Sequence, residues 1–224
     1  MNGLLRGELF FYNKLYKQTT TIIYMKKFYN IDQIEIGLDE AGRGPLIGNV
    51  YAGAVIWDND LEPPDGLIID SKKLSTKKRK KALEWIKKNI KNYSVGYATN
   101  EEIDKINILE ATKLAMQRAI DALPIKTDYL IIDGTGWEKK FMEANGDEGG
   151  ISSPKRWSES QSFTNYKVKS IIKGDNKYYS IAAASILAKE YHDEHILNLC
   201  SLDNSLIDKY CLNKNMGATS STKS

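Results

Sequence analysis

The chain has 224 residues, 42% of them hydrophobic and 27% charged, with a formal net charge of +3. That apolar content supports one core of ordinary domain size and excludes a chain disordered throughout, and no apolar run approaches the roughly 18 residues that a membrane span needs. So small a net charge does not announce a nucleic-acid binder, but its distribution says more: ten Lys or Arg residues and a single acid, Glu84, lie between Lys72 and Lys91.

Residues 1–29 are expected to form an N-terminal extension. The apolar stretches within 1–24 are short and interrupted, unlike a signal peptide, and Met25 stands just ahead of the first strand pattern. A main domain is expected over 30–200. Ile34 to Leu38 alternates and leads into Asp39-Glu40, so it reads as a strand ending at acids. A tight turn follows, Ala41-Gly42-Arg43-Gly44-Pro45, and Val50 to Trp57 gives a second strand. Together these predict a hairpin with a glycine-rich connection. Ser75 is placed to cap a helix through Asn89, with Ala82, Leu83, Ile86 and Ile90 as its apolar stripe. Tyr93 to Ala98 reads as a third strand. Asn107 is expected to cap a helix running to about Leu123, where Pro124 stops it. Tyr129 to Ile132 is a nearly continuous apolar run, expected as a buried strand, and ends at Asp133-Gly134. Residues 134–166 lack periodicity and are expected to be a long loop or insertion. Val168 to Ile172 predicts a further strand, with Asp175 just after it, and Ile181 to about Leu199 an Ala-rich helix. Residues 201–224 form a C-terminal segment whose composition from Asn213 onward is that of a frayed tail.

The acids recur where strands end: Asp39, Glu40, Asp133 and, just past a strand, Asp175. In open α/β sheets, sites form at the carboxyl ends of strands. Carboxylates gathered at one place repel one another, and cations relieve that repulsion. Hard oxygen donors of this kind suit Mg²⁺ or Mn²⁺, and two such ions can clamp a phosphodiester. Any one Asp-Gly pair is more often only a turn, so the wider context decides.

That context is specific. Gly37-Leu38-Asp39-Glu40-Ala41-Gly42-Arg43-Gly44-Pro45-Leu46 resembles the opening motif of the type 2 ribonuclease H family, ribonuclease HII. Asp70-Ser71-Lys72-Lys73-Leu74-Ser75, Asn107 to Thr112, Ile132-Asp133-Gly134, Lys173-Gly174-Asp175 and Ser180 to Lys189 match it in place and order. The resemblance implies an α/β ribonuclease H-like fold, a mixed five-stranded sheet flanked by helices with a short helical C-terminal part. It implies an endonuclease that hydrolyses the RNA strand of RNA–DNA hybrids, cutting 5′ to ribonucleotides, including those embedded in a DNA duplex, with Mg²⁺ or Mn²⁺ as cofactor. The metal-site carboxylates then fall on Asp39, Glu40, Asp133 and Asp175. The Gly42-Arg43-Gly44 turn is expected to read the junction ribonucleotide: glycines let backbone approach a sugar, main-chain groups can bond its 2′-OH, and Arg43 can hold a phosphate. Lys72, Lys73 and Ser180 are further expected substrate contacts, and the rest of the basic block is expected to supply general, salt-sensitive attraction.

Two departures stand out. The Asp133-to-Asp175 segment is longer than the family's usual spacing. Near the C-terminus the family carries a tyrosine that stacks on the sugar beside the cut, whereas Lys214-Asn215-Met216-Gly217 is followed here by Ala218-Thr219-Ser220. The C-terminal segment is therefore expected to be truncated, and an alternative is a catalytically impaired hybrid-binding protein. A junction resolvase of the same fold is disfavoured by the Gly42-Arg43-Gly44 block. His192 and His195, at i and i+3, have spacing that metal sites can use, but with no cysteine or third histidine nearby a zinc site is not expected; His192 stands where the family usually has an arginine before Asp193, and is expected at a phosphate-facing or structural position. The two cysteines have no metal-ligand spacing and predict no disulfide framework. A cytoplasmic, monomeric protein that does not engage membranes is expected.

Overall fold

The computed structural model describes residues 25–44, 47–142, 166–203 and 205–209. Most of the expected N-terminal extension, residues 143–165 of the expected insertion and the tail from Tyr210 lie outside these residues. Strands β1 (Glu35–Ala41) and β2 (Val50–Ile56) form the expected hairpin. Helix α1 (Thr76–Asn89) is capped by the Ser75 side chain, and β3 (Asn92–Ala98) follows. Helix α2 (Asn100–Asp121), β4 (Tyr129–Asp133), the short helix α3 (Trp137–Met142), β5 (Lys167–Ile171), helix α4 (Tyr179–Leu202) and the short α5 (Ser205–Lys209) complete the described elements.

Among the described residues the strands make one five-stranded sheet in the order β3-β2-β1-β4-β5. β1 is antiparallel to β2 and parallel to β4, so the sheet is mixed, as expected. Side chains alternate across it. Ile36, Leu38, Ala52, Ala54, Leu130 and Ile132 pack against α2 on one face. Val55 and Trp57 pack with α1 and α4 on the other. On that second face α4 sits very close to the strands. A Cβ on Gly37 would lie 2.6 Å from the Ser180 backbone, and one on Gly53 would collide with the Ala184 carbonyl. Gly53 is the cross-strand partner of Asp39.

Four expectations change. Residues 25–29 belong with the domain: Lys26 pairs with the backbone of Lys177 and Tyr179, and Tyr29 stacks on Tyr129. Helix α2 begins at Asn100, where Thr99 and Glu102 form a reciprocal capping box, and not at Asn107. Asn107 interrupts it with φ 68° and ψ 165°, and its Oδ1 caps the second half by accepting from the N–H groups of Leu109 and Glu110. The expected loop after Asp133 contains α3, whose Trp137 and Phe141 are buried in the core. Arg79, counted above in the basic block, is 2% exposed. It joins α1 to α4 by donating to Glu190 and, at 2.9 Å, to Asp193, so it is a structural cation and no part of an open basic face.

Candidate active site

Parallel pairing of Leu38 with Ile132 sets the next residues, Asp39 and Asp133, side by side where the pairing of β1 with β4 ends. Both continue the α4-facing alternation of Gly37 and Ile131. Asp175 arrives from the 3-10 turn Gly174–Asn176 after β5, entered through Lys173 in the left-handed conformation. The turn is pinned to the site, because the Gly174 N–H donates to Asp133 Oδ1 at 2.6 Å. One carboxylate oxygen from each of Asp39, Asp133 and Asp175 lies within 4.8 Å of the others. Glu40, expected as the fourth member, is not in that group. Strand alternation offsets its side chain from the other three, but it stays close enough for its charge to act on Asp39 and Asp133; Oε1 accepts from Arg43 at 2.9 Å and Oε2 is buried without a partner.

The electrostatics are those of crowded acids. Burial, then the charges of Glu40, Asp133 and Asp175, push the Asp39 carboxyl well above the usual carboxylate range. Burial raises Glu40 as well, against the pull of Arg43. Asp175 is pushed up to about 6 by burial, then by Asp133 and Asp70, with Asn176 and Lys72 opposing. Three converging hard oxygens, mutual repulsion and an orphaned buried carboxylate oxygen beside them fit a divalent cation.

Around these acids the other expected residues take different places. Gly42 has φ 98°, and a Cβ there would meet the Asn49 carbonyl and the His192 ring, so the turn needs glycine. Arg43 and Gly44 are exposed; the Arg43 guanidinium lies 5.7 Å from the Trp137 ring centre. Lys72 and Lys73 are exposed on the 3-10 turn Ser71–Lys73, near Asp175. Ser180 is 1% exposed beneath β1, at the close approach to Gly37, which is a packing position in this structure. Among the described residues, His192 and His195 belong to no group of three or more metal-ligating side chains. They line the underside of the glycine turn with Tyr51, and their Nε2 atoms have no partner. Sequence reasoning missed Asp70, Asn176, Trp137 and Lys140 beside the site. Asp70 lay in a quoted motif, but only the fold brings it to Asp175.

The family profile of ribonuclease HII matches residues 36–224. The chain belongs to the ribonuclease HII family. It is 42% identical to ribonuclease HII of Bacteroides thetaiotaomicron over 172 residues, which cover 77% of this chain and 74% of that relative. With ribonuclease HII of Caldicellulosiruptor saccharolyticus it shares 43% identity over 166 residues, 74% of this chain and 68% of the relative. Its fold matches the crystal structure of ribonuclease H2 from Pyrococcus horikoshii OT3 with a TM-score of 0.57 and 25% identity, covering 75% of each chain. Family membership makes the chain an endoribonuclease. No helix among its described residues is long and apolar enough to cross a membrane.

Proposed function

We propose that this ribonuclease HII-family chain hydrolyses the RNA strand of RNA–DNA hybrids, and cuts 5′ to ribonucleotides embedded in DNA, by divalent-metal catalysis. The observation that carries the reading is the convergence of Asp39, Asp133 and Asp175 oxygens within 4.8 Å, where the β1–β4 pairing ends and the turn after β5 docks. Asp39, Asp133 and Asp175, with Glu40 beside them, are the residues that would hold Mg²⁺ or Mn²⁺. Bound there, such an ion lowers the pKa of water and neutralises charge on a leaving oxygen. The protein's own groups orient the strand. Gly42 and Gly44 open the backbone toward a 2′-OH, the feature that separates RNA from DNA. Exposed Arg43 can hold an adjacent phosphate once it releases Glu40, and Lys72 and Lys73 can hold phosphates on the Asp175 side. Hydrolysis leaves a 3′-OH and a 5′-phosphate.

The test is cleavage of a duplex holding one ribonucleotide, with Mg²⁺ or Mn²⁺, by the wild type and Asp133→Asn. Wild type cuts 5′ to the ribonucleotide, and the variant loses activity by a factor on the order of a thousand. Equal cutting by the two proteins refutes the metal-acid assignment.

A further inference from the structure

We infer that Asn176 is a positioning residue that couples Asp175 to the Lys72–Lys73 segment, so that one amide sets both a metal-holding carboxylate and a phosphate contact. The inference rests on the metal-dependent reading above. Asn176 follows Asp175 on the same 3-10 turn and is half-buried. Its Nδ2 donates to Asp175 Oδ1 at 2.7 Å and to Asp70 Oδ2 at 3.3 Å. Its Oδ1 accepts from the Lys73 ammonium. Asp70 in turn anchors the turn that carries both lysines: Oδ1 accepts from the Lys72 N–H and the backbone carbonyl from the Lys73 N–H, each at 2.9 Å. A continuous hydrogen-bonded chain thus runs from Asp175 through Asn176 to Asp70, Lys72 and Lys73.

The chemistry needs an amide of this length. Two carboxylates, Asp70 and Asp175, face a single group, and only a donor with two hydrogens can serve both at once. The same side chain must also offer an acceptor to an ammonium. Aspartate has the length but no hydrogens to give, serine can give only one, and glutamine places both functions one methylene farther out. Removing the amide leaves the two acids facing each other and frees the lysine, so the carboxylate and the cation lose their fixed relation. The contacts of Asn176 are with Asp175, Asp70 and Lys73. It acts through Asp175 and Lys73.

The test is Mg²⁺ titration of thermal stability, a readout independent of turnover, for wild type, Asn176→Ala, Asn176→Gln, Lys73→Met and the Lys73→Met/Asn176→Ala double variant. Loss of one such hydrogen-bonded tether raises the half-saturating Mg²⁺ about fivefold in Asn176→Ala. Asn176→Gln recovers part of that. Lys73→Met, with all the acids in place, also raises the midpoint, and its effect vanishes in the Asn176→Ala background, as groups acting through one another require. A midpoint unchanged in Asn176→Ala, or effects of the two substitutions that simply add, overturns the inference. If Asn176→Ala does not fold in the absence of metal, Lys73→Met carries the test, and an unchanged midpoint there is likewise refuting. Asp133→Asn, measured alongside, separates the two levels. If it keeps both cleavage and Mg²⁺ stabilisation, the metal reading fails. If it loses both while the Asn176 variants match wild type, only the coupling fails.

Discussion

Asp175→Asn is expected to make the metal-free protein more stable while abolishing its metal response. Asp175 is 6% exposed, and its carboxyl sits at about 6 in place of the usual 3.8. A folded-state value above the unfolded one means that the native form holds a proton more tightly. The associated stability is present in full below pH 3.8 and is lost as pH rises through about 6. At neutral pH the ionised Asp175 therefore costs the metal-free fold about 3 kcal/mol. Asparagine removes the charge, and its Oδ1 can still accept from the Asn176 amide, but the amide itself pays for burial. A net gain of about 1–2 kcal/mol, or roughly 5 °C in melting temperature, is the expected outcome near pH 7.5. The assay is thermal unfolding in EDTA from about pH 4.5 to 7.5, followed by Mg²⁺ addition at the upper end. The variant's advantage opens as pH rises, and Mg²⁺ raises the wild type much more than the variant. A variant that melts below wild type at the upper end, or a gap that does not change with pH, refutes the crowded-acid account.

Arg79→Met leaves Glu190 and Asp193 without their shared cation between α1 and α4, and urea unfolding should report a loss of about 3–5 kcal/mol. Arg79→Lys should recover only part, because a single ammonium cannot reproduce the two-sided fork. At Asn107, alanine loses the cap of the second half of α2 and meets an unfavourable backbone conformation, an expected cost of about 1–2 kcal/mol by urea unfolding. Glycine at the same place should cost only a few tenths, since it accepts that conformation freely. Equal losses for the two substitutions would show that the backbone angle does not matter, and no loss in either would show that the cap does not.

Much of this molecule announces itself locally. Asp39 and Asp133 end apolar strand runs, and a parallel pair at the sheet centre then needs no special device to make them neighbours. Asp175 follows from the break after β5. The offset of Glu40 from the three aspartates was also available in principle, since adjacent strand residues point to opposite faces, while its charge still acts on Asp39 and Asp133. Thr99 and Glu102 spelled a capping box that the stronger asparagine signal at 107 obscured. Thr99 and Asn107 are both caps, each opening one of the two halves of α2. Arg79 is different in kind. Its neighbours in sequence are solvated lysines, and only the packing of α1 against α4 supplies Glu190 and Asp193. Asn176 is likewise silent in sequence, because two of its three partners, Asp70 and Lys73, come from one distant segment and meet it only when the turn after β5 docks beside the Lys72–Lys73 turn.

The two strand glycines beneath α4 have a consequence for the chemistry above them. Gly37 stands two residues before Asp39 on the same strand, and Gly53 directly across from it, so both missing side chains border the same acid. Their absence lets the backbone of α4 settle onto the sheet and shut water away from the Asp39 carboxylate. How strongly that acid calls for a counter-ion is thus governed by the height of a helix over two empty positions. A methyl group at either would lift the helix, wet the acid and soften its demand for metal with every carboxylate still in place.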